Sequence, residues 1–238
     1  MNKLYIEAVI DADMDLLWER TQHPAEHRRW DLRFTDIDYL PEIPGKPTHF
    51  RYATRAIPFR PIAGTGISAG DRDRPDGSRT SALRFSSTDP LSIIEDGSGY
   101  WRYVPTPSGI RFYTGYDYTV RWGRLGPVAD RIFRPLMGWA TAWSFDRLRL
   151  WCERDITPRR SLMYAVLEYL TRAIVLVTAV ATLTLAPFGW LTLASCTAAA
   201  AAVLAPPAPV TPAARRCLRT PPARTTTPSL LTALETAT

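Results

Sequence analysis

The sequence predicts an α+β domain followed by a membrane-type helical segment. Three observations carry this. Short alternating segments recur between turn residues through the first half of the chain. One long amphipathic pattern then closes that half. Beyond it, Ala173 to Leu204 contains no charged side chain. Strands joined through short turns imply an antiparallel sheet, so residues 1–157 are expected to be an antiparallel sheet with a long C-terminal helix. Residues 162–204 are the apolar segment and 205–238 a tail.

LYIEAVI places Leu4, Ile6, Ala8 and Ile10 on one face and predicts a strand. ADMDLLWERT predicts a short helix, capped by Asp11 or Asp13, with Leu16, Leu17 and Trp18 on its apolar side. Pro24 opens a second helix ending near Trp30. Strands are then expected at RFTDIDYL, HFRYATRA, IAGTGISA, TSALRFSS, LSIIED, GYWRYV and IRFYTGYDYTVRW. The breaks between them are PEIPGKP, DRDRPDG, EDGSG and PTPSG, rich in the residues that turns need. The Gly126-Pro127 pair opens the long helix, where a proline's missing N–H costs nothing. Val128, Ile132, Leu136, Trp139, Trp143 and Leu150 share one face of it. Pro135 and Gly138 inside that helix predict a kink.

A helix needs about 20 apolar residues to cross a bilayer. The uncharged run is too long for one straight span and too short for two. Pro187 to Gly189 supply a turn in its middle, and Arg159, Arg160, Arg215, Arg216 and Arg219 flank it. Positive charge on both flanks predicts a helical hairpin with both ends on the cytoplasmic side. Glu168 and Arg172, four residues apart, can pair on one face. The Pro-, Ala- and Thr-rich stretch from Ala205 is expected to be disordered.

The net charge is +6, split evenly before and after Ser161, with no basic cluster. Nucleic acid is therefore not an expected partner. Three widely spaced cysteines suggest neither a disulfide framework nor a zinc site and fit a reducing compartment. The N-terminal MNKLYIEAVIDADMD has no long apolar core, so no secretory signal is expected there.

Several strings imitate catalytic motifs. HPAEH at 23–27 matches H-x-x-E-H, but Pro24 keeps His23 out of the helix, and both histidines read as surface residues. GISAG at 66–70 matches a nucleophile elbow, yet a turn follows it and every histidine precedes Ser68. GTGISA lacks the helix that a dinucleotide site requires. DRDRPDG has Pro75 at a calcium-ligand position and no closing Glu. No metal and no cofactor is expected.

The remaining signal is aromatic. Phe112, Thr114, Tyr116, Tyr118 and Trp122 (with Val120) fall on one face of the last strand segment, and Trp101 and Tyr103 on one face of its partner. Trp139 and Trp143 of the long helix complete the candidate ligand-binding set. Tyrosine hydroxyls on an inward face need partners, which suits either a packed core or an amphipathic pocket. Tyr116, Tyr118 and Arg102 are candidate proton donors if the pocket is catalytic.

The segment VIDADMDLLWERTQHPAEHRRWD, residues 9–31, and the closing helix GPVADRIFRPLMGWATAWSFDRLRLWCE resemble the START-like (SRPBCC) superfamily of polyketide cyclases, birch-allergen-type proteins and lipid-transfer domains. The resemblance covers roughly residues 1–157. It implies a helix-grip fold, a sheet wrapped around the long helix with a cavity between them, and hydrophobic-ligand binding. It carries over no catalytic residue. The expected function is a membrane-tethered domain that binds or transfers a hydrophobic small molecule, with membrane lipids as further partners. The alternative is a cyclase or dehydratase acting on a polyketide-like substrate.

Overall fold

The computed structural model describes residues 4–41, 47–57, 60–185 and 189–222. Strand β1 (Leu4–Ile10) is followed by helices α1 (Met14–Gln22) and α2 (Pro24–Trp30). Strands β2 (Asp36–Tyr39), β3 (Thr48–Ile57), β4 (Arg60–Asp73), β5 (Arg79–Ser86), β6 (Ile94–Thr106) and β7 (Gly109–Val120) come next. Helices α3 (Gly126–Arg154), α4 (Pro158–Leu185) and α5 (Trp190–Leu204) complete the chain's regular structure. The sheet is antiparallel, in the order β1-β7-β6-β5-β4-β3-β2. It is a meander from β2 to β7, with β1 added beside β7.

Local chemistry sets the element ends. The Asp13 carboxylate accepts from the N–H groups of Asp15 (2.8 Å) and Leu16 (3.3 Å), satisfying two orphan donors of α1. Pro24 stands in the first turn of α2. The Arg147 guanidinium, buried within α3, donates to the carbonyls of Arg29 (3.2 Å) and Trp30 (3.3 Å) at the end of α2 and of Pro158 (2.9 Å) at the start of α4. One side chain therefore ties three helices together.

Two expected breaks turn out differently. The end of LSIIED, from Ile94, and all of GYWRYV belong to one strand, because EDGSG continues as β6 with a register irregularity between Ile94 and Gly97. PEIPGKP falls mostly on residues 42–46, outside the described residues. The glycines that invited motif matches serve packing. A Cβ at Gly64 would lie 2.3 Å from the Tyr52 ring, at Gly66 2.1 Å from the Phe50 ring, and at Gly97 2.6 Å from the Phe85 ring. Each aromatic ring lies flat across a glycine of the next strand, an approach no other residue permits.

The core lies between β1, β6, β7 and the C-terminal half of α3. Trp30, Tyr103, Phe112, Phe145 and Leu148 are fully buried. Phe112 stacks on Phe145 at 4.5 Å, and Trp101 touches both Trp30 and Phe112. Burying each of these rings is worth roughly 1.5–3 kcal/mol.

The N-terminal half of α3 departs from expectation. Its apolar residues share one face in the sequence, but the sheet does not cover that face along its whole length. Val128 (65%), Ile132 (68%), Leu136 (58%) and Trp139 (46%) are instead exposed, and only Trp143 and Leu150 of that face are buried. Polar partners explain it: Asp130 and Arg134 turn toward β7, where Asp130 accepts the Tyr118 hydroxyl at 2.6 Å. The helix is continuous through Pro135.

The tail is the second departure. From Ala205 the chain was expected to be disordered, but residues 206–218 dock on the domain. The Asp146 carboxylate accepts from the Ala213 N–H (2.7 Å) and the Arg216 guanidinium (2.8 Å). Leu218 pairs with Glu7 on the free edge of β1, and Cys217 is buried against Ala142. Short proline turns and a buried acceptor order a segment that lacks bulky apolar residues. Residues 223–238 lie outside the described residues.

Candidate functional site on the gripping face of the sheet

Register defines the inner face. Tyr103 and Trp101 of β6 face the same side as Phe112, Thr114, Tyr116 and Tyr118 of β7, with Ser81, Leu83 and Phe85 of β5 and Phe50 and Tyr52 of β3 beyond them. Helix α3 packs on β1 and, less extensively, on β7. That leaves the β3–β5 side of the face partly uncovered: Phe34, Tyr52, Leu83 and Phe85 are half-buried. The result is an apolar floor, rich in aromatic rings, beside a closed core.

A buried polar row borders this floor. Asp31 binds the Arg33 guanidinium through both carboxylate oxygens (2.9 and 2.6 Å) and meets His27 Nε2 at 3.1 Å. The Arg33 guanidinium sits 5.6 Å from the Tyr116 ring centre and interacts with its hydroxyl. The Tyr116 and Thr141 hydroxyls are 3.0 Å apart, and Thr141 donates to the Met137 carbonyl (2.8 Å). Thr141 has spent its proton, so the Tyr116 O–H is the donor to it. Tyr116's lone pairs then face Arg33.

The electrostatics follow from burial. Desolvation lowers His27, outweighing the neighbouring Asp31 carboxylate, so the ring is neutral near pH 7 and donates from Nε2. Burial alone would raise the Asp31 carboxyl, but Arg33 and His27 outweigh it and hold it well below the usual range. Burial raises Tyr116, which stays protonated. The row is thus a fixed set of dipoles around one buried ion pair, in reach of rings from Trp30, Phe34 and Trp101.

An open cavity of about 420 Å³ lies between the start of β1 and the N-terminal half of α3. Leu4, Ile6, Pro127, Asp130, Arg134 and Pro135 line it. Leu4 is the register partner of Tyr116, so this cavity is one strand away from the polar row.

The predicted ligand residues divide among these places. Trp101, Tyr103, Phe112 and Trp143 are in the closed core, where the Tyr103 hydroxyl meets Thr21 (2.6 Å) and Gln22 (2.9 Å). The Thr114 hydroxyl is spent on the Tyr100 carbonyl. Tyr116 lies in the polar row and Tyr118 beside Asp130. Two residues are not brought in: Trp122 has left β7 in a left-handed conformation and is exposed, and Trp139 is on the exposed stripe. Arg102, a candidate proton donor, alternates with Trp101 and Tyr103 and so lies on the opposite face. His27 corrects the reading of both histidines as surface residues, since it is buried. Sequence reasoning missed Asp31, Arg33, Phe34 and Tyr52. The available signal was the i,i+4 spacing of His27 and Asp31 on either side of Trp30. Among the described residues, no group of three His, Cys, Asp or Glu side chains is placed to hold a metal ion.

No protein-family model matches the sequence. The chain is 45% identical over 166 residues to a Bacillus subtilis protein named uncharacterized membrane protein YndG. The match covers 69% of this chain and spans 62% of that relative's length. Among solved structures, the di-domain ARO/CYC StfQ from the steffimycin biosynthetic pathway is similar over 64% of this chain and 50% of its own, with a TM-score of 0.50 and 11% identity. Human StAR-related lipid transfer protein 5 is similar over 61% of this chain and 74% of its own, with a TM-score of 0.46 and 16% identity. At 11% identity the likeness to StfQ concerns architecture alone: the chain from β1 to α3 has a helix-grip fold.

Proposed function

We propose that this chain is a membrane-tethered domain that binds or transfers a hydrophobic small molecule, lipid-like or aromatic. The observation that carries it is the half-open aromatic floor ending in a buried Asp31–Arg33–Tyr116 row. Apolar walls with a few fixed polar groups are what small-molecule sites are made of. The ligand body would lie over Tyr52, Leu83 and Phe85, with an oxygen directed at the Arg33 guanidinium. The ARO/CYC protein StfQ among the structural neighbours agrees with such a ligand.

The tether in this reading is α4 and α5. Helix α4 is long and apolar enough to cross a membrane, and 6% of its most apolar window is buried by the rest of the chain. An apolar surface of that extent is not tolerated in water by a soluble monomer. The Bacillus subtilis relative's name agrees with a membrane location. The flanking arginines favour the cytoplasmic side for the domain. Displacement of a fluorescent fatty acid from the full-length protein in detergent tests the binding claim. Saturable displacement by hydrophobic competitors, weakened in Tyr52→Ala, is expected; displacement unaffected by Tyr52→Ala and Phe85→Ala together contradicts it.

One observation favours a second, catalytic reading. The Arg33 guanidinium, held by Asp31 and by the Tyr116 lone pairs, can stabilise the oxygen of a carbonyl or enolate, as a cyclase or dehydratase requires. In that case Tyr116→Phe abolishes turnover of a polyketide-like substrate while leaving its binding; unchanged turnover removes this reading.

A further inference from the structure

We infer that α4 and α5 form a re-entrant hairpin that enters the bilayer from the domain's side and stops short of the opposite surface. The inference rests on the membrane reading above and fixes what that reading leaves open: depth, and whether the chain crosses.

Two independent sets of contacts carry it. The first sets the base of the hairpin. The Arg172 guanidinium donates to the carbonyls of Ala202 (2.7 Å), Ala205 (2.9 Å) and Pro206 (3.0 Å) at the end of α5. Its other contacts are to the Glu168 carboxylate (3.1 and 2.6 Å), which also accepts the Ala208 N–H (3.1 Å). Arg172 thus satisfies helix-end carbonyls that hydrocarbon would leave without partners. A charged cluster holding backbone groups marks a boundary with water or headgroups, because each ionised side chain at the bilayer centre costs several kcal/mol. Both limbs therefore begin at one level.

The second set ties that base to the folded domain. Arg154 donates to the Pro209 carbonyl, Asp146 holds Ala213 and Arg216, and Leu218 pairs with β1. Entry through α4 and return through residues 206–218 both end on the same body. The chain after α5 is not on the far side of a membrane.

Length then decides the depth. Beyond Arg172, α4 runs from Ala173 to Leu185 and α5 from Trp190 to Leu204. At 1.5 Å per residue each limb is about 20 Å long, against a hydrocarbon core of about 30 Å. The limbs pack closely through small residues: Ala179 on α4 and Thr192 on α5 are buried, while Leu183, Leu185, Trp190 and Leu193 are exposed to the acyl chains. Thr192 bonds back to Gly189 through its hydroxyl at the start of α5; Pro187 and Phe188 of the expected turn lie outside the described residues.

The test uses full-length protein in membrane vesicles with a single cysteine introduced at Trp190, the native Cys152, Cys196 and Cys217 all being changed to Ala. An impermeant maleimide is expected to leave Trp190→Cys unlabelled from both sides of intact vesicles and to label it after detergent is added. With an environment-sensitive fluorophore at the same position, nitroxide lipids labelled deep in the acyl chain should quench severalfold more than headgroup-labelled ones. Labelling from the side opposite the domain shows a crossing and overturns the inference. Stronger quenching by the headgroup probe shows a surface-lying helix and overturns it as well. Failure of the protein to associate with vesicles at all contradicts the membrane reading instead. A charge-removing control, Arg172→Leu, should move the fluorophore's quenching toward the opposite leaflet; an unchanged depth removes Arg172 from the role of boundary.

Discussion

The two halves of α3 carry the same apolar spacing and end in opposite surroundings. From Thr141 to Leu148 every residue is buried, with Phe145 stacked on Phe112 and Arg147 closing α2. From Leu125 to Trp139 the apolar stripe is exposed, and Asp130 and Arg134 take the sheet-facing side. The same contrast divides the inner face of the sheet: closed at β1, β6 and β7, half-open at β3–β5. Periodicity reports that a helix has an apolar face. It does not report whether protein, ligand or lipid covers it.

The contrast breaks first at Phe145. Phe145→Ala should cost about 3–5 kcal/mol through lost burial and a cavity, lowering Tm by roughly 10 °C; a shift under about 3 °C by circular dichroism shows that the core is elsewhere. Next is Asp31→Asn, which strands the Arg33 guanidinium. Removing one member of a buried pair costs about 3 kcal/mol, and urea unfolding measures it.

Acid sharpens the same site. The Asp31 carboxyl is held below its ordinary value, so its contribution is complete above about pH 3.9 and lost as pH falls through the lower folded value. His27 is also lowered. The unfolded chain takes up a proton below about pH 6.5 that the buried ring resists, so stability falls as pH drops from there. His27→Gln should flatten the loss between about pH 6.5 and 5, as read by Tm against pH; an unchanged profile contradicts a buried neutral ring.

Tyr116→Phe is expected to cost about 1–2 kcal/mol in urea unfolding, since it removes the bond to Thr141 and the acceptor that faces Arg33. Smallest is Ile132→Ser on the exposed stripe, expected within about 0.5 kcal/mol in detergent. A large loss there would mean that the stripe is covered by protein.

Much of the fold is legible in the sequence. Asp13 as a cap, Pro24 and Pro127 as helix openers and the alternation of β1 and β7 each act through local backbone chemistry. What escapes is set by tertiary contacts. His27 looks superficial until α2 is laid against Trp101, and Arg102 looks usable until register assigns it a face. The tail's order depends on Asp146, more than sixty residues earlier, which no local composition shows. EDGSG looks like a turn because its glycines suit one, yet Gly97 serves to seat Phe85.

The central claim is that the floor over Tyr52, Leu83 and Phe85 takes a hydrophobic small molecule in a domain held at a membrane. Native mass spectrometry of the full-length chain released gently from detergent, with solvent extraction of what it carries, tests this most directly. One hydrophobic molecule per chain is expected, retained by Ile132→Ser and lost with Tyr52→Ala and Phe85→Ala combined. A bare chain mass across preparations, or an adduct indifferent to those two substitutions, would contradict it.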